Sequence, residues 1–533
     1  MGPSPTPPLL TLSQAVATHA RLQPRKTALR DSRRTLDYGQ WDERATRLAQ
    51  ALLGLGLRPG DRVALLAYNR SEWLEIYTAL ARAGLVAVPL NFRLASAEIL
   101  YIVQHCEARA LIAQDALLGA VGAVGAVREA LPIEAGRFVR LADSPQPAPE
   151  GWLDYESLLA QAPGPGTGAE PMPEVRPGDL FALMYTSGTT GRPKGAMRSH
   201  AGNALIALAT ALEFGLSRQD TGLLVMPLCH ANSLYFGVTF AMLGATIVVD
   251  DRPSFDPAAV LGQLARERIT FTSLVPTHYV MMLELPEAVK AAHDLAAVGK
   301  LLISSAPARR ETKLAIMELF PNGRLFELYG STEAGWVTVL RPDEQLTHLG
   351  SVGREWAGSG PIRLLDPQGR EVPDGEVGEL HSLTSYVFDG YWRDPDKTRE
   401  AMRGAWCSVG DLARRDAEGF IHLVDRKSNM IISGGENIYP SEVETVLAAH
   451  PGVQEVAVVG MPDARWGESV RAVIVPRAGH TPDPADLDAW CRARMAGFKR
   501  PRSWAFIPAH DMPRTATGKI QHRLLRQRQI EAG

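Results

Sequence analysis

Tyr185-Thr186-Ser187-Gly188-Thr189-Thr190-Gly191-Arg192-Pro193-Lys194-Gly195 follows directly on the apolar run Leu180 to Met184. The run reads as a buried strand, so it empties into a loop of three glycines, four aliphatic hydroxyl residues and one lysine. Glycine lets a backbone approach a phosphate closely, and successive N–H groups can cradle its oxygens. The hydroxyls add donors and Lys194 adds positive charge. The loop therefore has the composition of a polyphosphate cradle. It is not the common P-loop, which needs Gly, four residues, then Gly-Lys-Ser/Thr opening a helix. Pro193 stands where that helix would begin, and Gly195 follows the lysine.

Outward from this loop, short apolar runs alternate with longer helical patterns. Strands are expected at Arg62 to Tyr68, Leu85 to Leu90, Ala110 to Gln114, Leu180 to Tyr185, Gly222 to Met226, Thr246 to Asp250, Thr270 to Val275 and Lys300 to Ser304. A helix is expected from Ser71 to Ala83 and another across the Ala/Val/Gly-rich stretch Leu117 to Val127. Such alternation argues for an α/β fold of mostly parallel sheets flanked by helices. Beyond Pro440 the pattern becomes helix (Ser441 to His450), strands (Val453 to Met461, Ser469 to Val475), helix (Pro484 to Met495) and strand (Trp504 to Ile507). That mixed unit of roughly a hundred residues is domain-sized.

At 533 residues the chain is too long for one simple core. A net charge of −3, with 45% hydrophobic and 22% charged residues, gives no reason to expect nucleic acid or an acidic membrane as partner. Only nine lysines occur, and four of them, Lys194, Lys427, Lys499 and Lys519, fall in the motifs below. The cysteines Cys106, Cys229, Cys407 and Cys491 lack metal or redox spacing, which fits a reducing cytoplasm. No apolar run reaches the length of a membrane span.

Four further motifs follow the loop in order. Pro227-Leu228-Cys229-His230 ends an apolar strand, and Tyr329-Gly330-Ser331-Thr332-Glu333 ends another, with Ser304-Ser305-Ala306-Pro307 upstream of the second. Next come Ser408, Gly410-Asp411, Asp425-Arg426-Lys427-Ser428 and Gly434-Gly435-Glu436-Asn437-Ile438-Tyr439-Pro440. Pro513-Arg514-Thr515-Ala516-Thr517-Gly518-Lys519-Ile520 closes the series. A hydroxyl can donate to phosphate, a carboxylate is a hard oxygen ligand for magnesium, and an aromatic face can stack on a base.

This ordered series resembles the adenylate-forming (AMP-binding) superfamily in its acyl-CoA synthetase branch, from about Leu12 to about Leu525. The resemblance implies a large N-terminal domain, 1–425, and a small mobile α+β C-terminal lid, 426–533. It implies ATP, Mg2+ and coenzyme A as small-molecule partners, and a monomer or homodimer. Thr186, Ser187, Gly188, Thr189, Thr190, Gly191 and Lys194 would grip the phosphates, with Thr186 and Glu333 serving magnesium. Tyr329, Gly330 and Ser331 would adjoin the adenine, with Ser305, Ala306 and Pro307 as the opposite wall. Thr332 would meet the α-phosphate, Asp411 and Arg426 the ribose, and His230 the substrate carboxylate. Lys519 would act in adenylation, Ser428 as hinge, and Gly434, Gly435 and Trp466 towards coenzyme A. Asn232, Tyr235, Phe236, Val275, Thr277, Ser304 and Trp336 would line the acyl pocket.

The expected reaction is ligation of a carboxylic acid to coenzyme A through an acyl-adenylate. An aliphatic or fatty acid is favoured, because 434–440 closely resembles fatty-acyl members. An aryl or cinnamate-type acid, transfer to an amine or carrier protein, and a non-catalytic nucleotide-binding protein are the alternatives.

Overall fold

The structure is a computed structural model that describes residues 11–120, 133–164, 171–186, 193–304, 308–433, 436–463, 465–515 and 518–532. Packing divides the chain into two compact units: Met1–Pro361 with Ser382–Cys407, and Ile362–His381 with Ser408–Gly533.

The first unit holds two large sheets. A seven-strand sheet runs in the order Leu153–Asp154, Phe138–Leu141, Ala108–Gln114, Arg62–Leu66, Val86–Leu90, Leu180–Thr186, Lys194–Ser199. All its pairings are parallel except the last, where Leu180–Thr186 and Lys194–Ser199 run antiparallel. Val86–Leu90 is buried along its whole length, as a strand covered on both faces must be. The second sheet has nine strands, and its centre is a parallel run of Arg324–Ser331, Lys300–Ser304, Phe271–Leu274, Thr221–Leu224 and Thr246–Val249. Antiparallel Gly335–Leu340 and Arg354–Glu355 extend one edge.

One hydrophobic core joins the two sheets: Val63, Ala87 and Phe181 from the first meet Leu224, Ile247 and Phe271 from the second. Helix Glu72–Ala83 contributes Trp73, Leu74, Ile76 and Tyr77 to this core. Eleven of its residues are buried, so it shows no solvent stripe. Gly84 ends it in the left-handed conformation at φ 67°, where a Cβ would be strained.

In the second unit an antiparallel sheet orders Arg363–Leu365, Val377–His381, Asp411–Arg415 and Ile421–Arg426. A five-strand sheet is built on the long pair Val453–Asp463 and Gly467–Pro476, with Ser503–Phe506 alongside. Helices Pro440–Ala448, Pro484–Arg492 and His522–Glu531 complete it.

The expected strands are all present, Lys300–Ser304 with its expected ends and the others with ends shifted by one or two residues. Thr270 to Val275 shortens to Phe271–Leu274 because Val275 caps the helix Pro276–Leu283, whose first residue is a proline. The helix expected at Leu117 to Val127 begins earlier, as Asp115–Ala120, and its remainder lies outside the described residues. The early chain departs most from expectation. Thr27–Arg30 crosses into the nine-strand sheet beside Thr246–Val249, with Leu29 opposite Ile247.

Candidate active site

Thr186 and Lys194 are opposed across the antiparallel pair, so the glycine-rich loop is a hairpin connection whose two ends are held in register. Ser187, Gly188, Thr189, Thr190 and Gly191 lie outside the described residues. From those anchored ends three groups converge. Thr186 Oγ1 donates to Glu333 Oε1 at 3.1 Å, and the Tyr391 hydroxyl donates to the same oxygen at 2.8 Å. The Lys194 ammonium sits 4.2 Å from the centre of the Tyr391 ring. Burial lowers the pKa of Lys194 below the ordinary lysine value, while the Glu333 charge pulls it back up. A hydroxyl, a carboxylate and a cation thus share a few ångströms at the end of one strand pair.

Glu333 reaches this place through a turn between two antiparallel strands. Strand Arg324–Ser331 bulges between Tyr329 and Gly330 where it pairs with Gly335–Leu340. A Cβ on Gly330 would stand 2.3 Å from the Gly335 carbonyl oxygen, so only glycine fits. Ser331 Oγ accepts the Ala334 N–H at 2.9 Å, closing the turn. Tyr329 and Thr332 are partly exposed, and Glu333 is buried.

Beneath the turn lies a cation that sequence reasoning missed. Arg198, 1% exposed, donates through Nη1 to the Thr332 and Glu333 carbonyls at 3.4 Å and lies over the Tyr235 ring at 5.3 Å. It shares a strand face with Lys194 by the period-two rule. Tyr391 was missed as well. The signal available for it was the aromatic crowding Tyr386-Val387-Phe388-Asp389-Gly390-Tyr391-Trp392.

His230 caps the helix Ala231–Leu243, and burial with the Arg93 charge pushes its pKa down to about 4. It is a neutral imidazole, and its Nε2 has no hydrogen-bond partner. Two residues on, Asn232 Nδ2 donates to Ser273 Oγ and Ser304 Oγ, both at 3.1 Å. Of the other expected pocket residues, Tyr235 and Phe236 are fully buried and pack on Trp336 at 5.3 and 5.7 Å. Trp336 Nε1 donates to Thr210 Oγ1 at 3.1 Å. Val275 is buried and Thr277 is exposed on the next helix. Ser305, Ala306 and Pro307 are outside the described residues.

The second unit carries its own cluster. Asp411 and Arg426 are opposed on neighbouring strands, with Nε to Oδ1 at 3.0 Å. Lys519 is exposed by area. Nonetheless burial of its ammonium, and then the Arg426 charge, lower its pKa, while Asp411 works the other way. Its loop is closed by a bridge between Arg514 and Ile520, and the Lys519 N–H donates to Thr515 Oγ1 at 3.1 Å. Ser428 lies exposed in the turn after Arg426. Trp466 is flanked by Arg465 at 4.7 Å and Arg502 at 4.6 Å. Lys499 and Arg500 are instead engaged with Glu442 and Asp488. Gly434 and Gly435 lie outside the described residues.

Residues 16–392 match the AMP-binding enzyme family, and residues 442–519 match the AMP-binding enzyme C-terminal domain. The chain is 38% identical over 511 residues to a feruloyl-CoA synthase of an Amycolatopsis species, covering 96% of this chain and 97% of that one. An indoleacetate–CoA ligase of Aromatoleum aromaticum is 36% identical, with 97% and 98% covered. A long-chain-fatty-acid–CoA ligase of Mycobacterium tuberculosis is 32% identical, with 97% of each covered. Among solved structures, the anthranilate CoA ligase AuaEII in complex with anthranoyl-AMP superposes with a TM-score of 0.86 at 27% identity, covering 100% of this chain and 99% of that one. With family models spanning both parts of the chain, and relatives aligned along nearly all of it, the protein belongs to the AMP-binding enzyme family, in the CoA-ligase branch of the adenylate-forming superfamily.

Proposed function

We propose that this AMP-forming acid–CoA ligase acts on an aromatic carboxylic acid. The carboxylate attacks the ATP α-phosphorus, giving the acyl-adenylate and pyrophosphate. The coenzyme A thiol then attacks the acyl carbonyl, and AMP leaves. The observation that carries the ligase reading is the convergence of Thr186, Lys194, Tyr391 and Glu333 at the ends of the glycine-rich hairpin. Such a cluster offers donors and a cation to a departing polyphosphate, where electrostatic stabilisation is worth most.

Glu333 and Thr186 suit a magnesium ion, which takes one or two protein oxygens and fills its octahedron with water and phosphate. Bound there, the ion would neutralise phosphate charge. Among the described residues no group of three acidic, histidine or cysteine side chains is placed to hold a metal ion. Thr332 addresses the α-phosphate, Asp411 and Arg426 the ribose, and Lys519 the charge formed as the two anions meet. Neutral His230 can lie beside the substrate carboxylate without fixing it as a tight ion pair. The segment from residue 426 turns about Ser428 between the two half-reactions, because one site must serve both. Trp466 between two arginines favours coenzyme A, with its adenine and phosphates, as acceptor over an amine or carrier protein.

The aromatic reading is supported by the wall of Tyr235, Phe236 and Trp336 and by the aryl acids named for the feruloyl, indoleacetate and anthranilate relatives. A fatty acid is the second reading, favoured by the segment 434–440 and by the mycobacterial relative. Among the described residues no helix is long and apolar enough to cross a membrane. A cytoplasmic location completes the proposal. The deciding experiment measures acid-dependent AMP release with ATP, Mg2+ and coenzyme A across arylpropenoic, arylacetic, benzoic and alkanoic acids. AMP with a matching aryl-CoA is the expected result. Turnover confined to alkanoic acids would overturn the aromatic reading, and AMP release that needs an amine or carrier would overturn the acceptor.

A further inference from the structure

We propose that Asn232 selects, within the proposed aryl-acid ligase reading, acids whose ring bears a hydrogen-bond donor, an O–H or N–H that the Asn232 carbonyl oxygen accepts. Both amide hydrogens of Asn232 are already used, one on Ser273 Oγ and one on Ser304 Oγ, each at 3.1 Å. The two serines are each 4% exposed. They stand at the carboxyl ends of the parallel strands Phe271–Leu274 and Lys300–Ser304, so they hold the amide from two neighbouring strands. Among the described residues Asn232 Oδ1 is buried and accepts no hydrogen bond. A buried acceptor left unmet carries a desolvation penalty, which a ligand donor recovers and an apolar ring edge does not.

The place is right for a ligand. In open α/β sheets ligands seat outside the carboxyl ends of the strands. Ser304 pairs with Leu328, the residue directly before Tyr329, so the amide lies along the same sheet edge as the Thr332–Glu333 turn. Two further buried nitrogens without partners, His230 Nε2 and His278 Nδ1, stand at this edge. His230 caps the helix Ala231–Leu243 and His278 lies in the first turn of Pro276–Leu283, each helix following one of the central strands. Burial and the Arg93 charge hold both imidazoles near pKa 4, so they are neutral at physiological pH. The edge thus presents neutral polar atoms, and a carbonyl oxygen among them favours a neutral donor over a second carboxylate.

The test compares kcat/KM for cinnamic acid, its three hydroxy isomers and the matching methoxy isomers in the unaltered enzyme, and then in Asn232→Leu. At least one hydroxy isomer is expected to exceed both cinnamic acid and its own methoxy analogue by about tenfold. In Asn232→Leu that ratio is expected to fall to near one. The methoxy arm separates a donor from a mere acceptor, and the unaltered enzyme alone reads the preference should the variant fold poorly. Equal turnover of hydroxy and methoxy acids, or of hydroxy and unsubstituted acids, would overturn the Asn232 inference while leaving the aryl-ligase reading intact. So would a preference that survives in Asn232→Leu. Absence of turnover of any aromatic acid, with alkanoic acids active, would remove both.

Discussion

At the proposed reacting end of this protein one carboxylate serves several partners. Glu333 Oε1 accepts from Thr186 and from Tyr391, and the Tyr391 ring in turn seats the Lys194 ammonium. Tyr391 therefore does two separable things. Tyr391→Phe removes one hydrogen bond to a charged acceptor, worth about 1.5–3 kcal/mol, but keeps the ring under Lys194. Tyr391→Leu removes both. Acid-dependent ATP–pyrophosphate exchange is expected to fall about tenfold in the first variant and further in the second. Equal, undiminished rates in both would mean that the contact has no part in adenylation. Thr186, Lys194 and Glu333 were legible from motif order. Tyr391 was not, because nothing in its own neighbourhood says which carboxylate it will meet.

At the level of elements, the strand that delivers the Tyr329–Glu333 turn is tied to helix Arg310–Leu319 by a buried ion pair. Lys313 Nζ lies 2.7 Å from Glu327 Oε2, with the side chains 1% and 3% exposed. Burial raises the pKa of Glu327, and the Lys313 charge opposes that rise. Removing one member of such a pair leaves a buried charge and costs about 3–5 kcal/mol, whereas replacing both with apolar groups is often neutral. Lys313→Met is expected to destabilise strongly in urea denaturation, and Lys313→Met with Glu327→Leu to regain most of the loss. If the double variant were as unstable as the single one, the pair would be doing more than neutralising itself. The spacing does not single out the helix, whereas the strand was readable from its apolar run. That their two charges would face one another was not.

Across the whole molecule, histidines that folding keeps neutral contribute to acid sensitivity. Burial pushes the pKa values of His200, His230 and His278 down to about 4 from an ordinary value of 6.5. The unfolded chain takes up these protons near pH 6.5 and the folded chain only near pH 4. The stability they allow is therefore complete above pH 6.5 and is lost as pH falls from there towards 4. Each can account for at most about 3 kcal/mol. Asp250, pushed up to about 6 by burial, works in the opposite direction, so the single-variant difference is the useful readout. His200 is 3% exposed and opens helix His200–Phe214. His200→Gln is expected to lessen the loss of unfolding free energy between pH 6.5 and 4.5. An unchanged slope would show that His200 is protonated in the folded state as readily as in the unfolded one.

The amino-acid sequence by itself determined the layered α/β class, the central strands and the order of the nucleotide motifs. These are local properties: apolar runs of strand length, glycines where a backbone must come close, and a carboxylate or lysine at a set place in each motif. It also brought out Asp411 and Arg426 as a pair, which the strands carry to 3.0 Å. Only the tertiary structure decided what depends on residues distant along the chain. Thr27–Arg30 joins the sheet beside Thr246–Val249, because a parallel edge is completed by whichever strand can reach it. Arg198 is a buried cation under the Thr332–Glu333 carbonyls, although as one arginine among many it carried no signal of its own. Asn232 lay in the expected acyl pocket, but its unmet oxygen follows from two serines on two other strands. Motifs report which chemistry a chain can do. Which atoms are left wanting a partner is a property of packing, and packing exists only once the sheets have closed around the core.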